Sequence, residues 1–180
     1  MTSDDDVPTV PPSPPLVELA TSDDLDALAD AWVSLADEQL AYGSHVLASE
    51  NRTTVRDLFG AYIFNDGLLV ARLDGELVGF ASFTLERGTF TLKATRGLLS
   101  NLYVAPAARN RGVGTALLEA VESELRARGA SVLVLEAMAT NEAARRFYRR
   151  HGYETYRVGM HRSLEADPPG ENDTHSKEDR

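Results

Sequence analysis

There is no cysteine among the 180 residues. Its absence excludes a disulfide framework, a thiolate metal site and a cysteine nucleophile. Histidine is scarce, and His45, His151, His161 and His175 lie apart without ligand spacing, so no metal is expected. Lysine is nearly missing: Lys93 and Lys177 are the only two among 18 basic residues. No lysine lies between them, which rules out a Walker phosphate loop there, since that loop needs Gly-Lys-Ser/Thr. Long apolar runs are absent too. Nothing approaches the roughly 20 residues needed to cross a bilayer, and the acidic N-terminal stretch does not read as a signal peptide. A cytoplasmic protein with no membrane partner is expected.

Acid is in excess, with 28 Asp and Glu and a net charge of −10. Much of that sits at the ends. Residues 1–15 carry Asp4, Asp5 and Asp6 among five prolines. Residues 165–180 carry Glu165, Asp167, Glu171, Asp173, Glu178 and Asp179 against Lys177 and Arg180. Both stretches are polar and poor in large apolar residues, so they are expected to be disordered tails around one domain at 16–164. Inside that domain, residues 18–66 hold ten acids and two arginines, whereas 87–150 hold eleven basic residues and five acids. The basic half attracts polyanions. Nucleic acid is not the expected partner, because the whole chain is acidic and the basic positions surround a turn rather than a groove-reading helix. Acid excess with little lysine fits either the surface of a salt-in halophile or a genome that favours arginine codons.

The run Leu102-Tyr103-Val104-Ala105-Pro106-Ala107-Ala108-Arg109-Asn110-Arg111-Gly112-Val113-Gly114 reads as a strand entering a glycine-containing turn that opens a helix. Leu102 and Val104 are apolar and strand-prone, and Pro106 stops ladder pairing. Val113, Ala116, Leu117, Ala120, Val121 and Leu125 then recur at spacings near three and four, the buried face of a helix. Gly129 closes that helix, with Arg126 and Arg128 at the negative end of its dipole. Free N–H groups and partial positive charge at its start make a site for a phosphate or pyrophosphate. The dinucleotide fingerprint does not apply, since only Gly112 and Gly114 stand where three glycines are required.

A second pattern follows one helix later. It comprises an apolar strand ending Leu135-Glu136, then Asn141, a short helix carrying Phe147 and Tyr148, and Gly152-Tyr153. Arg109-x-x-Gly112-x-Gly114 resembles the Arg/Gln-x-x-Gly-x-Gly/Ala signature of the GNAT acyltransferases, and the second pattern resembles that family's second half. The resemblance covers roughly residues 66 to 164. Residues 16 to 65 resemble the family in pattern only.

The elements read in order as a strand near 16–20, helices at about 22–42 and 53–64, and a hairpin of 68–73 and 77–86 about Asp74-Gly75, a pair suited to a tight I′ turn. Strands follow at 98–104 and 132–138 with the 112–128 helix between them, then a helix at 142–150 and a closing strand at 154–164. This order is an α+β fold that resembles the GNAT type: a mixed, mainly antiparallel sheet flanked by helices, with a central parallel strand pair.

The resemblance implies acetyl-CoA as cosubstrate. Arg109, Asn110, Arg111, Gly112, Val113, Gly114 and Thr115 would hold its pyrophosphate. The backbone of Leu102, Tyr103 and Val104 would pair with its pantetheine arm like an added strand, one amide facing the thioester carbonyl. Asn141 would bridge to the same arm and also suits a helix N-cap. Tyr148 matches the tyrosine that protonates the departing thiolate, since a phenol with a reference pKa of about 10 stays protonated until needed. The plainer role is packing beside Phe147. Glu136, expected on an apolar strand where a carboxylate is costly to bury, matches the general base of ribosomal-protein N-terminal acetyltransferases. Its plainer role is pairing with an arginine. Ser100 stands where other members carry an acidic candidate. Tyr42, His45, Glu50 and Asn51 belong to a loop overhanging the acceptor site, His151 caps a helix, and Trp32 belongs to the core.

These residues point to direct acetyl transfer onto a primary amine, either a small cationic amine or a peptide N-terminus, by a monomer or homodimer. A silent acyl-CoA sensor and an interaction module working through its ends are the other readings.

Overall fold

The computed structural model describes residues 14–86 and 93–164. Leu16–Leu19 (β1), Leu68–Leu73 (β2), Glu76–Leu85 (β3), Arg96–Val104 (β4) and Val132–Leu135 (β5) form one sheet in that order. Neighbours run antiparallel except β4 and β5, which are parallel. The helices are Leu25–Leu40 (α1), Arg52–Phe64 (α2), Val113–Ala127 (α3) and Glu142–Arg150 (α4). α3 supplies the crossover that a parallel pair requires. The mixed, mainly antiparallel α+β sheet is therefore as expected. Apart from Pro14 and Pro15, the expected tails lie outside the described residues.

Both faces of the sheet are covered, which is why β2 reads as an apolar run rather than a clean alternation. On one face Leu117, Val121 and Leu125 of α3 pack on Leu69, Ala71, Ala81, Phe83 and Leu99. On the other, Leu28 of α1 with Val55 and Phe59 of α2 cover Leu68, Val70, Phe80 and Tyr103. α3 comes so close that a Cβ on Gly79 would lie 2.7 Å from the Tyr103 carbonyl oxygen and 3.2 Å from Leu117. The hairpin turn is the I′ turn that Asp74-Gly75 announces, with φ of 51° and 88°.

Asp24 pins the start of α1 to the sheet. Its carboxylate accepts from the Thr21 amide at 2.9 Å and the Thr21 hydroxyl at 3.2 Å, and it pairs with Arg72 of β2. Burial alone would raise its pKa; the Thr21 bonds and Arg72 outweigh that and hold it below the usual 3.8. Because the folded value lies below the unfolded one, the stabilisation is complete above about pH 4 and drains away as the pH falls through the folded value. Asp24→Asn is expected to cost about 2 kcal/mol at pH 7, with a smaller difference near pH 3, read by denaturant titration at both pH values.

Two strand boundaries differ from the sequence reading. No strand exists at 154–164: this stretch has neither helix nor ladder, and Tyr156, Val158, Met160 and Leu164 are 73%, 75%, 95% and 92% exposed. The alternation there suits a strand, but a strand needs an edge to bond, and the segment makes no ladder with β5. β5 also stops at Leu135 rather than Met138. Its partner β4 bulges at Ser100, the residue skipped between the pairs Phe83↔Leu99 and Ser82↔Asn101, and the last β4–β5 pair is Leu99↔Leu135. A bulge bends its strand, and here it marks where the parallel pair parts.

Candidate active site

β4 continues to Val104, five residues beyond its last pairing with β5, so this edge of the sheet is open. The other edge of β4 is bonded to β3, and the Ala105 amide donates to the Val78 carbonyl. Antiparallel alternation then turns Tyr103 and Asn101 toward β3 and turns the backbone groups of Leu102 and Val104 toward the opening. The Val104 carbonyl accepts from Arg109 Nε at 3.0 Å, which leaves the two amides and the Leu102 carbonyl for a guest.

The chain leaves β4 through a short turn at 106–108 and enters α3 at Gly112. Asn110 and Gly112 take φ of 60° and 81°, left-handed values that glycine and asparagine adopt most readily. This path points successive amides outward. Among the described residues no backbone carbonyl accepts from the amides of Asn110, Arg111, Gly112, Val113, Gly114 or Thr115. Free donors at the positive end of a fifteen-residue helix suit an anion chemically.

Not every expected cofactor residue presents its side chain there. The Arg109 guanidinium is bound to both oxygens of Glu38 on α1 at 2.7 Å, so this arginine fastens the loop to α1. The Thr115 hydroxyl lies 3.1 Å from His151 Nε2, whose other ring nitrogen meets the Phe147 carbonyl at 2.9 Å. With Nδ1 donating to that carbonyl, Nε2 accepts from Thr115. His151 is the C-cap residue of α4, as expected, and it also ties α4 to the first turn of α3. Gly114 lies at the same junction, where a Cβ would touch Phe147 at 3.5 Å and Val104 at 3.7 Å. Arg111, Arg146 and Arg150 form no ion pair among the described residues.

Asn141 caps α4, its Oδ1 accepting from the Ala144 amide at 3.0 Å. Tyr148 follows two turns later. Its ring stands edge-on to Phe147 and Tyr153, with centroids 5.2 and 5.7 Å away. Burial pushes its phenol up to about 12, and its hydroxyl has no hydrogen-bond partner among the described residues. The neighbouring Tyr153 spends its hydroxyl on Glu122 at 2.8 Å. The two tyrosines thus differ: one is committed to α3, the other holds a proton with nothing to give it to. Glu136 lies one residue past β5 and is exposed, with no arginine partner among the described residues. The expected cost of burying it does not arise, because the strand ends before reaching it.

On the opposite face a cavity of about 430 Å³ opens between α1, the α1–α2 loop, α2 and β4. Trp32, His45, Val46, Leu47, Thr54 and Leu58 line it with Asn51, Val55 and Asn101. His45 and Asn51 were legible as acceptor-loop residues; Trp32, Thr54 and Asn101 were not. Asn101 is held by its bond to Ser82 at 2.8 Å, and its neighbour Ser100 meets Tyr62 at 3.1 Å. The His161 ring stands 5.9 Å from His45 at the loop.

The model of the acetyltransferase (GNAT) family matches residues 32–153, more than half of the chain and all of the loop, α3 and α4. The chain belongs to this family. An IAA acetyltransferase of Azospirillum brasilense is 30% identical over 126 residues, 70% of this acetyltransferase and 78% of that protein. An uncharacterized N-acetyltransferase of Bacillus subtilis is 33% identical over 87 residues, covering 48% of this chain and 58% of its own length. Among solved structures, AAC(6')-Iy in complex with the bisubstrate analog CoA-S-monomethyl-acetylneamine shares the fold at a TM-score of 0.63 and 18% identity, over 84% of this chain and 99% of that one. GNAT enzymes use acetyl-CoA, and the free amides at α3 and the open β4 edge fit the anionic and amide-bearing parts of such a molecule. No helix among the described residues is long and apolar enough to cross a membrane.

Proposed function

We propose that this acetyltransferase carries an acetyl group from acetyl-CoA directly to a primary amine held in the Trp32 cavity. The observation that carries the reading is the opening between β4 and β5, flanked by the unbonded amides of Asn110 to Thr115. Acetyl-CoA supplies an acetyl group activated as a thioester. The amides from Gly112 to Thr115 and the positive end of α3 hold the pyrophosphate, while Leu102 and Val104 bond the pantetheine arm. One of those two amides faces the thioester oxygen, where negative charge develops. Tyr148 gives its phenolic proton to the departing sulfur. Glu136 takes a proton from the amine, directly or through water.

The cavity narrows the acceptor. Half of the ten acids of the first half, which favour a cationic amine when counted along the sequence, are engaged elsewhere: Asp26 and Asp30 with Arg56 and Arg52, Glu18 and Asp24 with Arg72, and Glu38 with Arg109. The lining contains no carboxylate, and Val46, Leu47 and Leu58 expose apolar surface at its mouth. An amine on an aromatic or aliphatic body fits this lining, as does a peptide N-terminus with an apolar first residue. The latter accords with the likeness of Glu136 to the base of ribosomal-protein N-terminal acetyltransferases. A panel of arylalkylamines, polyamines and short peptides, read by mass spectrometry with acetyl-CoA, tests this. Arylalkylamines or apolar-ended peptides should give the highest kcat/KM; a preference for polyamines contradicts the assignment of the cavity, and no turnover with any amine contradicts the reading as a whole.

Glu136→Gln preserves size and hydrogen bonding but removes the proton acceptor. Turnover at pH 7 should fall about tenfold or more, and raising the pH should partly restore it, since more amine is then already neutral. An unchanged pH–rate profile would remove Glu136 from the mechanism.

A further inference from the structure

The two ends of β4 face different layers. Leu99 packs in the core under α3, whereas Tyr103 packs in the core under α1 and α2. Residues four apart in a regular strand share one face, so the bulge at Ser100 has turned the second half of β4 over. Two consecutive side chains therefore look to the α1–α2 side. Ser100 is bonded to Tyr62 of α2 at 3.1 Å, and Asn101 lines the Trp32 cavity. Without the extra residue Asn101 would share the α3 face with Leu99, and the sheet would give the cavity no polar group. We infer that the Asn101 carboxamide holds the acceptor: its Oδ1 accepts an N–H of the amine in the cavity and turns the nitrogen lone pair toward the thioester. This inference rests on the function proposed above.

Asn101 is fixed for that task. Its Nδ2 donates at 2.8 Å to the hydroxyl of Ser82, its register partner on β3, and Ser82 is fully buried. One end of the planar carboxamide is thus anchored to an immobile group. The other end, Oδ1, has no partner among the described residues and is not buried. An open carboxamide oxygen in a cavity lacks only a donor. Asn51 also lines the cavity, but its Nδ2 donates to the Leu47 carbonyl within the α1–α2 loop. Asn101 alone in the lining belongs to β4, one residue before the Leu102 amide proposed to bond the cosubstrate. The charge of the group suits the reaction as well. A carboxylate at this place would favour the ammonium form of the amine, which has no lone pair to attack with. A carboxamide accepts an N–H from either form and leaves the proton free to pass to Glu136.

Trp32 is the only tryptophan of the chain and lines the same cavity, so its fluorescence reports acceptor binding without turnover. The test titrates 2-phenylethylamine into the CoA-saturated parent and into the double variant Asn101→Leu with Ser82→Ala. Replacing both partners together leaves neither of them unsatisfied in the interior, and an unchanged melting temperature verifies the fold. The double variant should bind the amine about tenfold to a hundredfold more weakly and lose kcat/KM for it by a similar factor. Its KM for acetyl-CoA should stay the same. Asn101→Asp supplies a split that a merely structural residue would not produce: tighter binding of the amine, as its ammonium, with a lower kcat at pH 7. An active parent whose variants equal it in amine affinity and kcat/KM would overturn the role of Asn101 alone. A loss shared equally by acetyl-CoA would make Asn101 a support of β4 and overturn it too. A parent that neither binds nor acetylates the amine would bring down the proposed function, and this inference with it.

Discussion

Tyr148→Phe is expected to lower the maximal rate by roughly tenfold to a thousandfold while leaving acetyl-CoA affinity nearly unchanged. The substitution keeps the ring and its edge-on contacts with Phe147 and Tyr153. Only a hydroxyl is removed, and that hydroxyl has no hydrogen bond among the described residues whose loss would destabilise the fold. Burial places the phenol at about 12, so it stays protonated throughout an ordinary assay. The alkaline side of the pH–rate profile should therefore show no decline from Tyr148 up to pH 10. Its linkage to stability has the same sign. The folded pKa lies above the unfolded value of 10.0, so the neutral phenol's stabilisation is complete below pH 10 and is lost as the pH rises toward 12. Steady-state rates and calorimetric affinities of the two proteins separate the roles: an unaffected rate would leave Tyr148 a packing residue.

Gly112→Asp is expected to raise the dissociation constant for acetyl-CoA by about a hundredfold or more. The position has φ of 81° and a Cβ there would meet nothing within 4 Å, so the new side chain enters open space beside the free amides of the loop. A carboxylate in that space repels a pyrophosphate and offers the amides a competing acceptor. Asparagine accepts left-handed φ comparably and carries no charge. Gly112→Asn should thus weaken binding by much less, and the gap between the two variants isolates the electrostatic part. Equal affinities for all three proteins, measured by calorimetry, would mean that the pyrophosphate lies elsewhere.

What could be read from the sequence was local. The turn at Asp74-Gly75, the Asn141 cap and the glycine turn that opens α3 at Gly112 all follow from residues within one turn of each other, and the structure shows each cap and turn with its expected backbone. Long-range pairing was not legible. Arg109 is engaged by Glu38, 71 positions earlier, so a side chain that resembles a phosphate ligand in the motif fastens a loop instead. The bulge at Ser100 depends on register with β3, which no single-strand pattern encodes, and it decides both where β4 and β5 part and why Glu136 stands exposed. The alternation at 154–164 suggests a strand, but the structure forms none there, because alternation alone does not supply an edge to bond. The cavity residues Trp32, Thr54 and Asn101 come from three elements and meet only once α1 and α2 are packed on the sheet. Charge counted along the chain likewise overstates the acidity of the acceptor side, because five of those ten carboxylates find arginines on α2, β2 and the loop before α3.

The most direct test of the account is a titration of isotopically labelled protein with CoA, followed through its backbone amide resonances. The largest shifts are predicted at Gly112, Val113, Gly114 and Thr115, with a second group at Leu102 and Val104 and little change at the outer sheet strand β1. Saturable binding that leaves the 110–115 amides unmoved, or shifts confined to the Trp32 cavity, would contradict the assignment of the open β4 edge and the start of α3 as the cofactor site.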